Sequence, residues 1–183
     1  HPHYVIQTKD FGFLMVGETG FVEDRSARIF LVKTDRLGKL LWQREFGKPG
    51  YNLGNCLAES KDGNYLVAGT LNFDAALIKV EAETGKMIWS KTWNLGSEDS
   101  FEGLALTNDG GIVLTGYRDG LAEGTFLNWG RGMVLKTSAN GREEWRRDLS
   151  RYSSCGYRIQ KSSSGFMLLV HPKDEESENF NLL

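Results

Sequence analysis

The chain has 183 residues, 22 basic against 24 acidic side chains and a formal net charge of −2, which excludes a broad basic face for nucleic acid. Apolar residues make up 40% of it but never run long enough to span a membrane. Its 2 cysteines, Cys56 and Cys155, exclude a disulfide framework and read as free or buried thiols.

The chain opens on His1-Pro2-His3 rather than methionine, which fits a trimmed or partial chain with a mobile end. Residues 4–8 then read as a strand, followed by a turn at Asp10 and an apolar run that reaches Gly17. A connection over 18–28 leads to Lys-Thr-Asp at 33–35, a second turn at Leu37-Gly38, and Trp42. After a further connection the same phrases return. Asp62 leads to Gly69 and Asp109 to Gly116 at the interval that separates Asp10 from Gly17. Gly85 precedes Trp89, and Gly141 precedes Trp145, at the interval that separates Gly38 from Trp42. In a fourth, degenerate copy Ser163 and Val170 stand at the aspartate and glycine places. Two spacings that agree through three copies mark an internal repeat. The approximate repeats are 10–61, 62–108, 109–162 and a partial 163–183, within a single domain.

Physical chemistry makes these repeats β-structure. Asp-Gly or a near equivalent between apolar runs is a hairpin turn, because glycine adopts positive φ without steric cost. The flanking runs are short, β-branched and aromatic, and no segment has a helical period. In the second copy the expected strands are 64–68, 76–80, 86–93 and 101–107, running from an apolar inner strand to a more polar outer one. Four-stranded units of this kind predict an all-β propeller with three complete blades and part of a fourth. The copy number points to part of a longer propeller. Its alternative is a small four-bladed ring in which 4–8 pairs into the last unit.

The phrases Lys-Leu-Leu-Trp at 39–42 and Lys-Met-Ile-Trp at 86–89, each after a turn glycine, resemble the tryptophan-docking blades of quinoprotein (PQQ-type) propellers. With Lys-Thr-Asp at 33–35 and Asp-Gly-Gly at 109–111, the unit looks still more like the β-propeller repeats of secreted and surface proteins. Lys79, Glu81 and Ser138 depart from the quinoprotein pattern. The resemblance covers residues 4–170, implies the fold rather than an activity, and implies an extracellular or organelle-lumen setting.

Recurrence assigns Trp42, Trp89, Trp145, Gly38, Gly85 and Gly141 to architecture. Arg44, Lys91 and Arg147, two residues after each tryptophan, share its strand face and invite cation–π contacts. Binding is expected where the copies differ, on two sets of variable loops that emerge on one face. The candidate binding residues are Arg118, Phe126, Trp129 and Arg131 on the longest loop, with Tyr51 and Tyr152 on its neighbours. No catalytic residue, metal site or cofactor is implied: the metal-ligand spacing, nucleophile elbow and phosphate loop are all missing. The sequence therefore predicts a binding or scaffold module for a protein or glycan partner, as a subunit of a larger assembly or part of a longer chain. Its alternative is part of a propeller enzyme, quinoprotein-like or glycoside-processing, with an axial active site.

Overall fold

A computed structural model describes residues 1–120 and 130–172. Phe126, Trp129 and the acidic run after Pro172 lie outside the described residues.

The described chain is all β, with fourteen strands in four antiparallel sheets of 4, 4, 4 and 2 strands. The first sheet joins β1 (Pro2–Gln7), β2 (Phe13–Thr19), β3 (Ala27–Thr34) and β4 (Leu40–Gly50). The second joins β5 (Asn52–Glu59), β6 (Tyr65–Leu71), β7 (Asp74–Val80) and β8 (Met87–Trp93). The third joins β9 (Ser100–Leu106), β10 (Ile112–Arg118), β11 (Arg131–Thr137) and β12 (Glu143–Asp148). The last pairs β13 (Ser153–Lys161) with β14 (Phe166–Pro172). No described helix is long and apolar enough to cross a membrane.

The sheets differ from the sequence reading in phase. Segment 101–107, expected to close the second unit, is β9, and it pairs with β10 of the next sheet. The strand over 4–8 likewise opens its own sheet: β1 pairs with β2, which rules out the four-bladed ring closed by that strand. Repetition reveals a period but not where a unit begins. The mostly buried strands β6 and β10 are second in their sheets, and their burial comes from sheets packed on both faces.

Two devices recur. The first is an ion pair at the turn between first and second strands. Asp10 accepts from the Gly12 amide at 3.0 Å, Asp62 from the Asn64 amide at 3.3 Å and Asp109 from the Gly111 amide at 3.1 Å. Lys33, Lys79 and Lys136 reach these carboxylates from the third strands at 2.8, 2.6 and 3.2 Å. The aspartate thus ties the turn to the third strand as well as shaping it.

The second device joins sheets. Trp42 is buried, donates from Nε1 to the Ala82 carbonyl at 3.0 Å, and lies so close to Gly85 that a Cβ there would meet its ring at 2.8 Å. Trp89 stands in the same relation to Gly141, at 3.1 Å. The stems of Arg44 and Lys91 flank the same two glycines, and the Arg147 guanidinium lies 5.5 Å from the Trp145 ring centre. Trp42 and Trp89 therefore each seat on the turn of the following sheet.

One turn carries strain. Phe11 holds φ +64°, where the corresponding residues of the next two copies are Gly63 and Gly110. Its side chain is 68% exposed and so gains little from packing. Phe11→Gly is expected to stabilise the fold by about 1 kcal/mol by removing left-handed strain, read as a higher Tm in calorimetry. No gain would mean that the ring is held by contacts that offset the strain.

Candidate functional site

The first strands stand side by side: β1 against β5, β5 against β9, and β9 against β13. Each carries an irregularity at one repeat position. Pairing skips His3 between Pro2 and Tyr4, Asn55 between Gly54 and Cys56, Glu102 between Phe101 and Gly103, and Tyr157 between Gly156 and Arg158. A β-bulge leaves its extra residue unpaired and re-aims its side chain, a device frequent beside functional sites.

Glycine makes the bulge fit. A Cβ on Gly17, Gly69 or Gly116 would lie 1.8, 2.0 or 1.9 Å from the carbonyl oxygen of His1, Leu53 or Ser100, in each case two residues before the bulge. In the fourth sheet Val170 stands in that place, and β13 slips a second time, at Ser154.

Three of the bulge residues, His3, Asn55 and Glu102, meet through their side chains. His3 Nδ1 lies 3.2 Å from Asn55 Oδ1, and Asn55 Nδ2 donates to Glu102 Oε1 at 2.8 Å. Ser100 donates to the same Glu102 oxygen at 2.6 Å. Arg158, beside Tyr157, donates to the Glu102 carbonyl at 2.6 Å and lies 5.3 Å from the Tyr4 ring centre. Arg158 thereby ties β13 to both β9 and β1. Burial pushes the Glu102 carboxyl up, against the Ser100 hydrogen bond and the charges of Arg158 and His3. The Glu18 carboxylate raises the His3 imidazole above its ordinary value, against the opposing effect of burial.

A second layer follows the same ruler one residue on, at Glu18, Thr70, Tyr117 and His171. Glu18 Oε1 lies 2.9 Å from His1 Nδ1, and Oε2 lies 3.1 Å from His3 Nε2. The histidines expected in a mobile end are therefore held: His3 lies in β1, and both meet a buried carboxylate. Glu18 Oε2 is nonetheless buried without an aligned hydrogen bond. Thr70 donates to the Asp99 carbonyl at 3.1 Å, and His171 Nδ1 lies 3.1 Å from Ser154 Oγ. Tyr117 and Tyr51 both donate to Glu98 Oε1 at 2.6 Å, and burial followed by this carboxylate raises the Tyr51 phenol.

Of the described residues singled out from sequence, Arg118 and Arg131 stand opposite each other across β10 and β11. Tyr51 is half-buried, stacks on Phe73 at 4.6 Å and is spoken for by Glu98. Arg118 pairs with Asp148 and lines a cleft with Leu95, Met133, Arg146 and Arg147. Arg131 faces Asp119 at 4.0 Å, and Tyr152 is 64% exposed with Arg151 above its ring. The two cysteines are buried and free.

No protein-family model matches the chain, and no curated protein matches it. Solved structures do. A candidate 6-phosphogluconolactonase of Bacteroides uniformis is 13% identical with a TM-score of 0.55, over 91% of this chain and 49% of its own. A point mutant of a Synechocystis apocarotenoid oxygenase is 14% identical with a TM-score of 0.53, over 100% of this chain and 49% of its own. The chain thus spans about half the length of each, and the likeness shows the fold alone.

Proposed function

We propose that the chain is part of a β-propeller, its sheets successive blades, and that it is a non-enzymatic binding module for a hydroxyl-rich glycan held where the first strands meet. The observation that carries this reading is the convergence of His3, Asn55, Glu102 and Tyr157 from four sheets onto one repeat position. The charged groups there are Glu18, Glu98 and Glu102 with Arg158 and an imidazole of raised pKa. Asn55 and Tyr157 add neutral donors and acceptors. Such a set suits a ligand with many hydroxyls better than an anion. Glu18 Oε2 is a buried acceptor whose neighbour, His3 Nε2 at 3.1 Å, is not aligned as a hydrogen-bond donor, so a ligand hydroxyl would complete it. In a propeller the variable connections rim this end, so Arg118, Arg131 and Tyr152 would meet the outer parts of a larger glycan.

The same convergence favours a second reading, an axial active site in a propeller enzyme, since such chemistry draws charged groups from several blades. The two separate by turnover.

A panel of mono- and oligosaccharides is titrated calorimetrically into the chain and into Glu102→Gln and Arg158→Ala. Binding is expected to weaken by at least about tenfold in both variants, and by more than any accompanying loss of Tm accounts for. Retained binding in both variants, with loss in Arg118→Ala or Arg131→Ala, would move the site to the loops. Chemical change of the bound sugar would favour the enzyme.

A further inference from the structure

Among the described residues Trp42 and Trp89 are each seated on the outer hairpin of the following sheet, and Trp145 is not. Trp42 covers Gly85 and Trp89 covers Gly141, whereas Trp145 on β12 is 40% exposed. The sheet that follows it holds only β13 and β14 among the described residues. β14 occupies the repeat position of β6 and β10, whose residues are buried almost throughout, yet its Met167 and Leu169 are exposed. Among the described residues β14 also pairs on one side only, which leaves a row of backbone groups open along its other edge.

We infer that this edge, together with the Trp145 indole, is a docking surface for a β-hairpin of the repeat's own second-phrase type. The hairpin adds antiparallel to β14 and seats its turn glycine on Trp145. Both halves of the surface come from the repeat. β6 pairs with β7 as β14 would pair with the incoming strand, and Gly85 on Trp42 shows the contact that Trp145 would make. The recognition chemistry follows. Main-chain hydrogen bonds along β14 supply affinity, as in strand addition to a sheet edge. Specificity comes from a turn residue without a Cβ, since a side chain at Gly85 would overlap the Trp42 ring. The surface is independent of the ligand site proposed above.

The test uses the chain's own outer hairpin, residues 72–93, as the probe. Added in trans as a peptide, it is expected to slow amide exchange along β14 by at least about tenfold. The effect should weaken in the Trp145→Ala chain and with a Gly85→Val peptide. An isolated hairpin is marginal in water, so the same segment is also joined directly after Pro172 in place of residues 173–183. Pro172 corresponds to Leu71, which places the joined hairpin in register. The joined chain is expected to show the same β14 protection, with Trp145 shielded from an aqueous quencher. Unchanged β14 exchange in the joined chain would overturn the inference, as would equal protection by the Gly85→Val hairpin.

Discussion

Replacing Asp10 with alanine is expected to destabilise the fold by about 2–3 kcal/mol, whereas Lys33→Met is expected to cost less than about 1 kcal/mol. The asymmetry follows from burial. The Lys33 side chain is 2% exposed, and its ammonium donates to both Asp10 oxygens and to the Thr34 carbonyl. Asp10 is 56% exposed. Removing the carboxylate strands a buried cation with one acceptor, and such a loss costs about 3–5 kcal/mol for a fully buried pair. Water reaching the Asp10 side of this pair lowers the figure. Removing the lysine instead leaves a carboxylate that water already solvates, and methionine refills the volume. The double variant should therefore fall below Lys33→Met alone only by the turn hydrogen bonds that Asp10 accepts from Thr8 and Gly12, and urea melts of the four proteins check this. If Asp10→Ala proves as mild as Lys33→Met, the ammonium has another route to solvent.

The same pairs set the acid limb of stability. Burial pushes the Asp10 carboxyl up, but hydrogen bonds from Lys33, Thr8 and the Gly12 amide outweigh it and hold the group at about 2, against an ordinary 3.8. Asp62 is lowered in the same way through Lys79, and Asp109 through Thr107, the Gly111 amide and Lys136. The folded values lie below the unfolded ones, so the stabilisation is complete above the ordinary carboxylate range. It drains as pH falls toward about 2. Solvent exposure of the three carboxylates keeps this limb shallow, and Asp10→Ala should flatten it further.

The turns and strands were legible because glycine and aspartate mark hairpins locally and apolar runs are short. Sheet membership was not, because a repeat has no intrinsic first strand: 101–107 can end one unit or begin the next, and only its pairing to β10 decides. The lysine of the ion pair was on view at Lys33, Lys79 and Lys136, but a lysine inside an apolar strand reads as a surface residue until its partner across the turn is known. The bulge residues were missed for a different reason. His3, Asn55, Glu102 and Tyr157 share polarity but not identity, so in a repeat they look like noise. Glu18, Thr70, Tyr117 and His171, one residue past the constant glycine or its replacement, repeat that signal. A position that stays polar while changing type, in the midst of apolar strands, separates a lining from a scaffold. Of the loop residues expected to bind, Tyr51 has its hydroxyl bonded to Glu98.

The constant glycine joins stability to the site, and Gly69→Ala tests the junction. Its Cβ would fall 2.0 Å from the Leu53 carbonyl oxygen, 3.0 Å from the Leu53 carbonyl carbon and 3.2 Å from the Asn55 nitrogen. All three are backbone atoms, so no side-chain rotation relieves the overlap. The bulge must straighten or β5 must move, and a loss of about 3 kcal/mol or more is expected. Gly38→Ala is the control. It has φ +81° but no atom within 4 Å of a Cβ, and should lose only about 1–2 kcal/mol from left-handed strain. The excess measures what it takes to keep the bulge. If the Gly69→Ala protein folds, Asn55 is re-aimed and its link to Glu102 breaks, so saccharide binding should fall with stability. The fourth sheet already contains this substitution in kind, with Val170 in the glycine place and β13 slipping twice to accommodate it. Equal losses at Gly69 and Gly38, measured by thermal melts, would show that the bulge forms without need of the glycine. The polar ring would then owe its geometry to the hydrogen bonds among its own side chains.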